Sequence, residues 1–169
     1  MCTQKITPCL WFDDQAEEAI NFYVSVFPNS MIETVTRYGP AGAQASGRPE
    51  GTVMTILFQL DGQEFLALNG GPVFTFSPAI SFMVNCRTQE EIDDLWEKLS
   101  EGGAVQQCGW LQDRYGMSWQ IVPTVLGQML QDKDAEKGER VMKAMLQMKK
   151  IDIRTLEQAY EREPVAASV

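Results

Sequence analysis

The feature that most constrains the fold is a strand followed at once by a helix. It occurs twice at an offset of 72 residues, so that Ile92 holds the place in the second helix that Ile20 holds in the first. Apolar side chains alternate with others over residues 5–12 and 79–86, which predicts a strand at the start of each copy. The copies agree in pattern and not in residue identity, and they predict two related modules.

Both predicted helices carry an apolar stripe with the spacing of an amphipathic helix. The first is expected to begin at Asp14, with Glu17 three residues on, and to end before Pro28. Thr88 and Glu91 predict a capping box at the start of the second. The stripes consist of Ile20, Tyr23, Val24 and Phe27 in the first helix and of Ile92, Leu95, Trp96 and Leu99 in the second.

Further strand signals follow each strand–helix pair, three in the first half and two in the second, and we interpret both halves as βαβββ modules. The predicted strands are residues 31–38, 52–60 and 63–69, with a loop over 39–51, and then residues 104–110 and 117–122, with a turn over 113–116. Hairpin connections imply largely antiparallel pairing. The predicted fold class is α+β, with paired βαβββ modules forming a curved mixed or antiparallel sheet and a helical extension at the C-terminus.

We expect one domain over residues 1–124, with modules at about 1–70 and 73–124, and a helical tail over 125–169. One face of the tail carries an apolar stripe made of Val141, Met142, Met145 and Met148. Methionine commonly fills core space. The stripe is therefore expected to pack against the sheet or a partner subunit and not to bind a cofactor.

The charge of the chain argues against two classes of partner. A net charge of −9 and a pI near 4.5 would repel nucleic acid and an anionic membrane surface. No apolar run is long enough to span a bilayer, and the N-terminus lacks the pattern of a secretory signal. We therefore expect a cytoplasmic protein with neither nucleic acid nor membrane as a partner.

The chain has no histidine. This removes the commonest general base near neutral pH and the commonest transition-metal ligand, and it excludes Ser-His and Cys-His nucleophile mechanisms within one chain. The four cysteines form no Cys-x-x-Cys pair, so reduced core thiols are expected instead of a zinc or dithiol site. There is also no Gly-x-Gly, the turn that a Rossmann-type methyltransferase would carry.

Several phrases along the chain are distinctive. They are ITPCLWF at 6–12, AINFY at 19–23, FQLDGQ at 58–63, ALNGGP at 67–72, TQEEIDDLW at 88–96, the run 108–123 and MLQMKKIDI at 145–153. Together with the paired modules, they resemble the vicinal oxygen chelate superfamily of glyoxalase I, extradiol dioxygenases and bleomycin-resistance proteins, and within it the PhnB-like (3-demethylubiquinone 3-methyltransferase-like) branch. The resemblance covers nearly the whole chain.

In metal-dependent members of that superfamily, the first and last strands of each half supply His, Glu or Gln ligands. The resemblance places these positions at Thr7, Ala79 and Gln120, with Leu66 or Ala67 as the fourth. Alanine and leucine cannot ligate a cation, and neutral Thr and Gln would hold a transition metal weakly. We therefore expect neither a metal nor another cofactor.

Alternation along the strands defines the sheet face that the helices leave uncovered. The candidate groove residues on it are Thr7, Cys9, Trp11, Thr55, Leu57, Gln59, Ser81, Met83 and Gln120, with Asn85 and Ser118 beside them. This mixed lining suits a small organic molecule, although the groove could equally be filled by side chains or by a partner chain. Gln120 is the principal candidate for binding, whereas Trp119 is expected to face helix packing.

The sequence leaves three functions open. The preferred one is a metal-free protein that binds an unidentified small molecule and forms a homodimer. The alternatives are an enzyme on the same groove, a transferase or a metal-independent isomerase or lyase, and a non-catalytic dimeric scaffold. Whether the chain is catalytic is not decided by its residues.

Overall fold

The computed structural model describes residues 4–161, which fall into two compact units divided between Phe76 and Ser77. The first unit contains β1 Cys9–Phe12, α1 Ala16–Val26, β2 Met31–Arg37, α2 Pro40–Ser46, β3 Val53–Leu60 and β4 Gln63–Asn69. The second contains β5 Ser81–Cys86, α3 Gln89–Ser100, β6 Ala104–Val105, β7 Trp110–Gln112, β8 Ser118–Pro123, α4 Thr124–Leu130, α5 Ala135–Met145 and α6 Ile153–Glu161.

Each unit has a four-stranded sheet of the same design. The strand orders are β1-β4-β3-β2 and β5-β8-β7-β6. The first and last strands of each module, β1 with β4 and β5 with β8, pair in parallel, and the other pairs are antiparallel. The predicted fold class is confirmed, including the repeated module, the mainly antiparallel pairing and the C-terminal helices.

Helix α1 covers one face of the first sheet through the predicted stripe, of which Ile20 and Tyr23 are fully buried. The predicted cap at its start is wrong. The N-cap position is Gln15, which makes no side-chain cap bond. Instead, the Ala16 amide donates to Oδ1 of Asn69 at 2.9 Å, so a side chain at the end of β4 satisfies one of the amides that a helix start leaves unpaired.

Helix α3 begins as predicted. The Glu91 amide donates to the Thr88 hydroxyl at 3.2 Å, and the Glu91 carboxylate accepts from the Arg87 amide at 2.5 Å. Of the predicted stripe, Ile92 and Leu99 are fully buried. The second module therefore uses local capping, whereas the first uses a residue from another strand.

Two predicted segments differ from the structure. The region 39–51 is not a loop throughout, because α2 occupies Pro40–Ser46 with proline in its first turn, a position where proline favours a helix. The predicted strand 104–110 is interrupted, because β6 ends at Val105 and β7 begins only at Trp110. The backbone φ is +60° at Cys108 and +81° at Gly109, which is incompatible with a continuous strand.

The three C-terminal helices form a core of their own, made of Leu126, Met129, Val141, Ile151 and Leu156. Met145 and Met148 of the predicted methionine stripe pack against it. The segment is tied to the second module, since the amides of Cys108 and Gly109 donate to the carbonyls of Met148 and Lys149 at 2.8 and 2.7 Å.

Residues 162–169 of the predicted tail lie outside the described residues. Within residues 4–161, no helix has both the length and the apolar character that a membrane span requires.

Candidate functional site

Strand pairing brings the candidate residues of the first unit onto one sheet face. Cys9 lies opposite Leu66, which lies opposite Leu57. Trp11 lies in the next row, opposite Leu68, which pairs with Thr55. The other face is covered by α1 and carries the buried side chains Leu10, Phe12, Ile56 and Phe58. The face that α1 leaves uncovered therefore contains a mixture of apolar and polar groups.

A buried carboxylate that the sequence reasoning missed lies at one end of this face. Glu64 is only 8% exposed, and its Oε1 accepts a hydrogen bond from the Thr7 hydroxyl at 3.0 Å. Gln59 lies directly opposite Glu64, and its amide donates to the Glu33 carboxylate. Leu66 pairs with Cys9 in the parallel ladder of β1 and β4. Counting back two residues on both strands places Glu64, and not Leu66 or Ala67, beside Thr7.

Trp11 closes the other end of the face. Its Nε1 donates to the Gly71 carbonyl at 2.8 Å, and its ring meets the Phe74 ring in a T-shaped arrangement at a centroid separation of 5.0 Å. A Cβ at position 70 would lie 2.2 Å from the indole ring, so Gly70 is required for the approach of the chain. The indole is thus fixed by its own chain, with its half-buried ring forming a wall.

In the second unit, one row of the sheet places an amide between an aromatic ring and a thioether. Trp110 lies opposite Gln120, which lies opposite Met83. Gln120 Nε2 donates to the Ser81 hydroxyl at 2.8 Å, and Met83 is 55% exposed. Trp110 was missed as a candidate, because the break at Cys108–Gly109 hides its register from a reading of the sequence.

The neighbouring row contains Ser81, Ser118 and Gln112. Ser118 is almost fully buried, and its hydroxyl has no hydrogen-bond partner among the described residues. Asn85 lies opposite Val122, farther along the same face. The sheet therefore presents three polar residue types in adjacent rows.

Trp119 points to the opposite face, as predicted. It is 3% exposed, packs against Phe82 at a centroid separation of 5.5 Å, and donates to Asp113. It belongs to the packing of the module and not to the candidate site.

Two thiols, those of Cys9 and Cys86, are not activated. Desolvation raises the pKa of Cys9, and burial together with the Glu91 carboxylate raises the pKa of Cys86 to about 11. Thiolates are the nucleophilic form, so neither cysteine is prepared for nucleophilic attack. In residues 4–161, no three His, Cys, Asp or Glu side chains are grouped so that they could hold a metal ion.

Comparison with known proteins gives one family. The family model described as 3-demethylubiquinone-9 3-methyltransferase matches residues 4–122. The PhnB protein of Bacillus cereus is 42% identical over 72% of this chain and 100% of its own, with a TM-score of 0.64. The search of curated proteins found no match.

Two more distant structures share the fold. Protein PA1353 of Pseudomonas aeruginosa is 21% identical over 72% of this chain and 98% of its own, with a TM-score of 0.58. The fosfomycin resistance protein FosX of Listeria monocytogenes is 12% identical over 78% of this chain and 100% of its own, with a TM-score of 0.54.

Proposed function

We propose that this chain, which belongs to the PhnB-like 3-demethylubiquinone-9 3-methyltransferase family of the vicinal oxygen chelate superfamily, binds a small organic molecule on the sheet faces that its helices leave uncovered. The observation that carries the proposal is the row of Trp110, Gln120 and Met83. An amide fixed by Ser81 lies there between two side chains that offer apolar contact.

The chemistry of this row suggests the kind of ligand. The Gln120 amide can exchange hydrogen bonds with a carbonyl, hydroxyl or amide of the ligand. Trp110 offers a ring on which a planar group can stack, and the Met83 thioether adapts to irregular apolar shapes. We therefore favour a ligand with a planar or apolar body and one polar substituent.

We propose further that binding needs no transition metal. At the positions where the superfamily resemblance implies ligands, the chain has a threonine hydroxyl, an alanine and a glutamine amide. Glu64, held by Thr7, is the single carboxylate among the groups at these positions. One carboxylate with neutral oxygen ligands does not match the nitrogen- and sulfur-rich sets that retain zinc or nickel. Metal analysis of the purified protein that finds one tightly held transition-metal ion per chain would overturn this.

Glu64 favours a second candidate function, an enzyme that moves a proton on the uncovered face of the first sheet. A carboxylate that is nearly buried beside a hydroxyl is placed to accept a proton from a bound substrate. Methyl transfer, which the family description names, is less well supported, because the chain lacks the Gly-x-Gly turn and its sheets are not the parallel sheets of the Rossmann fold.

A thermal-shift panel of small organic molecules, with S-adenosylmethionine included, tests the proposal. A ligand present well above its dissociation constant should raise the melting temperature. The shift should be lost in Gln120→Ala and kept in Gln63→Ala, a matched change at an exposed glutamine. A shift that survives Gln120→Ala would exclude this row as the site, and a response to S-adenosylmethionine alone would favour a transferase.

We propose, finally, that the chain forms a homodimer. Several large apolar side chains are exposed, among them Met31 of β2 and Ile80 before β5, and a second copy could cover such surface. Light scattering that shows a monomer at micromolar concentration would refute this. A stable dimer that responds to no small molecule would favour the scaffold alternative.

A further inference from the structure

The first unit contains a cleft of about 460 Å³ that is not on the face described above. Its floor includes Asn69, which follows Phe65 and Ala67 on the covered face of β4 and bonds to the start of α1. The cleft therefore opens on the helix side of the sheet, at the end where α1 begins. The connection from β2 to β3 forms its other wall.

Four charged side chains line this cleft: Arg37, Arg48, Asp14 and Glu17. Arg48 donates to Asp13 at 2.7 Å, with its side chain 21% exposed. Arg37 donates to the Gly51 carbonyl at 3.0 Å. Within residues 4–161, Arg37, Asp14 and Glu17 form no ion pair. The cleft therefore contains side chains of opposite charge that are not paired with each other.

The side chains of Tyr38 and Asn69 on the floor of the cleft already have hydrogen-bond partners. The Tyr38 hydroxyl donates to the Asn69 carbonyl at 2.6 Å. The Asn69 side chain accepts from Ala16 and donates to the Val53 carbonyl at 3.1 Å. Because these polar groups are used within the chain, the charges on the rim are what remains for recognition of a ligand.

We propose that this cleft binds a small zwitterion of the amino-acid class, with its carboxylate toward Arg37 and Arg48 and its ammonium toward Asp14 and Glu17. A singly charged ligand would meet like charge on one side, whereas a zwitterion places each end against its opposite. The cleft volume of about 460 Å³ is large enough to admit an amino acid or a dipeptide. This cleft and the Gln120 row share no residues, so an experiment can refute one of the two binding proposals and leave the other standing.

Calorimetry on the full chain at low salt tests the proposal with 6-aminohexanoate and glycylglycine as probes, and with hexanoate and hexylamine as the singly charged analogues of the first. The zwitterions are expected to bind at least about tenfold more tightly than either analogue, since each loses one charge-assisted contact. Equal binding of hexylamine and 6-aminohexanoate, or no binding of any probe, would overturn the proposal.

Two substitutions at opposite ends of the cleft locate the site. Arg37→Met and Glu17→Gln should each weaken 6-aminohexanoate binding by at least about tenfold. Arg87→Met and Glu97→Gln, at exposed positions of the second unit, are the matched controls and should leave binding unchanged. Unchanged affinity in Arg37→Met or in Glu17→Gln would place the zwitterion elsewhere. Because Arg37 and Glu17 are both exposed, the melting temperatures of both variants should match that of the parent.

Discussion

Replacement of Asp113 should destabilise the second module more than any other single change between β7 and β8. Asp113 is 3% exposed, and its carboxylate accepts at least three hydrogen bonds. The amides of Tyr115 and Met117 donate to Oδ1 at 2.9 and 3.0 Å, and Trp119 Nε1 donates to Oδ2 at 2.8 Å. One side chain thus fixes both the turn and the buried indole.

The size of the effect follows from these contacts. Asp113→Ala leaves three donors without their charged acceptor, and each such loss costs about 1–3 kcal/mol when the donor is buried. The turn amides can regain water in part, so we expect the free energy of unfolding to fall by about 3–5 kcal/mol. Asp113→Asn keeps an oxygen for the turn but turns an NH₂ group toward the indole N–H, and should cost about 2 kcal/mol.

Urea unfolding followed by circular dichroism measures these values, and a double-mutant cycle isolates the indole contact. In Trp119→Phe the donor is gone, so adding Asp113→Asn should cost less than it does in the parent, with a coupling of about 1–2 kcal/mol. Asp94→Asn, at an exposed residue paired with Lys98, is the control and should change stability by less than about 0.5 kcal/mol. A coupling near zero, or an Asp113→Asn variant as stable as the parent, would refute the reasoning.

Three further predictions concern other parts of the chain. Gly70→Ala should lower the free energy of unfolding by about 2 kcal/mol, because the new Cβ would lie 2.2 Å from the Trp11 ring, and urea unfolding of Gly70→Ala in a Trp11→Ala background should show a smaller loss. A hydrogen bond from Lys150 holds the pKa of Asp93 below its usual 3.8. The stability that this bond contributes is present above pH 3.8 and is lost as the pH falls through the lower pKa of the folded state. In an acid titration, the free energy of unfolding of Lys150→Met should therefore fall less steeply below about pH 4 than that of the parent. Cys86, with its pKa raised to about 11, should resist iodoacetamide at pH 8 in the folded protein and react once urea unfolds it, and fast labelling of Cys86 without urea would contradict the burial.

Patterns that are local in the sequence predicted the fold well. The apolar stripes predicted both module helices. Thr88 predicted the start of α3, because a capping box is contained within four residues. The start of α1 could not be predicted in the same way. Its amide partner, Asn69, is 53 residues away in the chain, and no rule of helix capping points to the end of a distant strand.

The candidate site also combines residues that local patterns predicted with residues that depend on distant contacts. Alternation within a strand placed Cys9 and Trp11 on one face without knowledge of the neighbouring strands. Glu64 and Trp110 were missed, because their membership of the face depends on strand register. The register of Glu64 follows from the parallel pairing of β4 with β1, and that of Trp110 follows from a strand break that two left-handed residues produce.

The cleft on the helix side could not be predicted from the sequence for a reason other than strand register. Its wall is the connection after β2, which reads as a loop rich in glycine and alanine but contains α2. The ion pair of Arg48 with Asp13 joins this wall to the end of β1 across 35 residues. Arg48 forms its ion pair with Asp13, while Asp14 and Glu17 line the cleft. Exchanging the two partners with Arg48→Asp and Asp13→Arg together should preserve the ion pair and the melting temperature, because the opposite charges still meet. Calorimetry should nevertheless show weaker 6-aminohexanoate binding, because the arginine at position 48 that lines the cleft is gone.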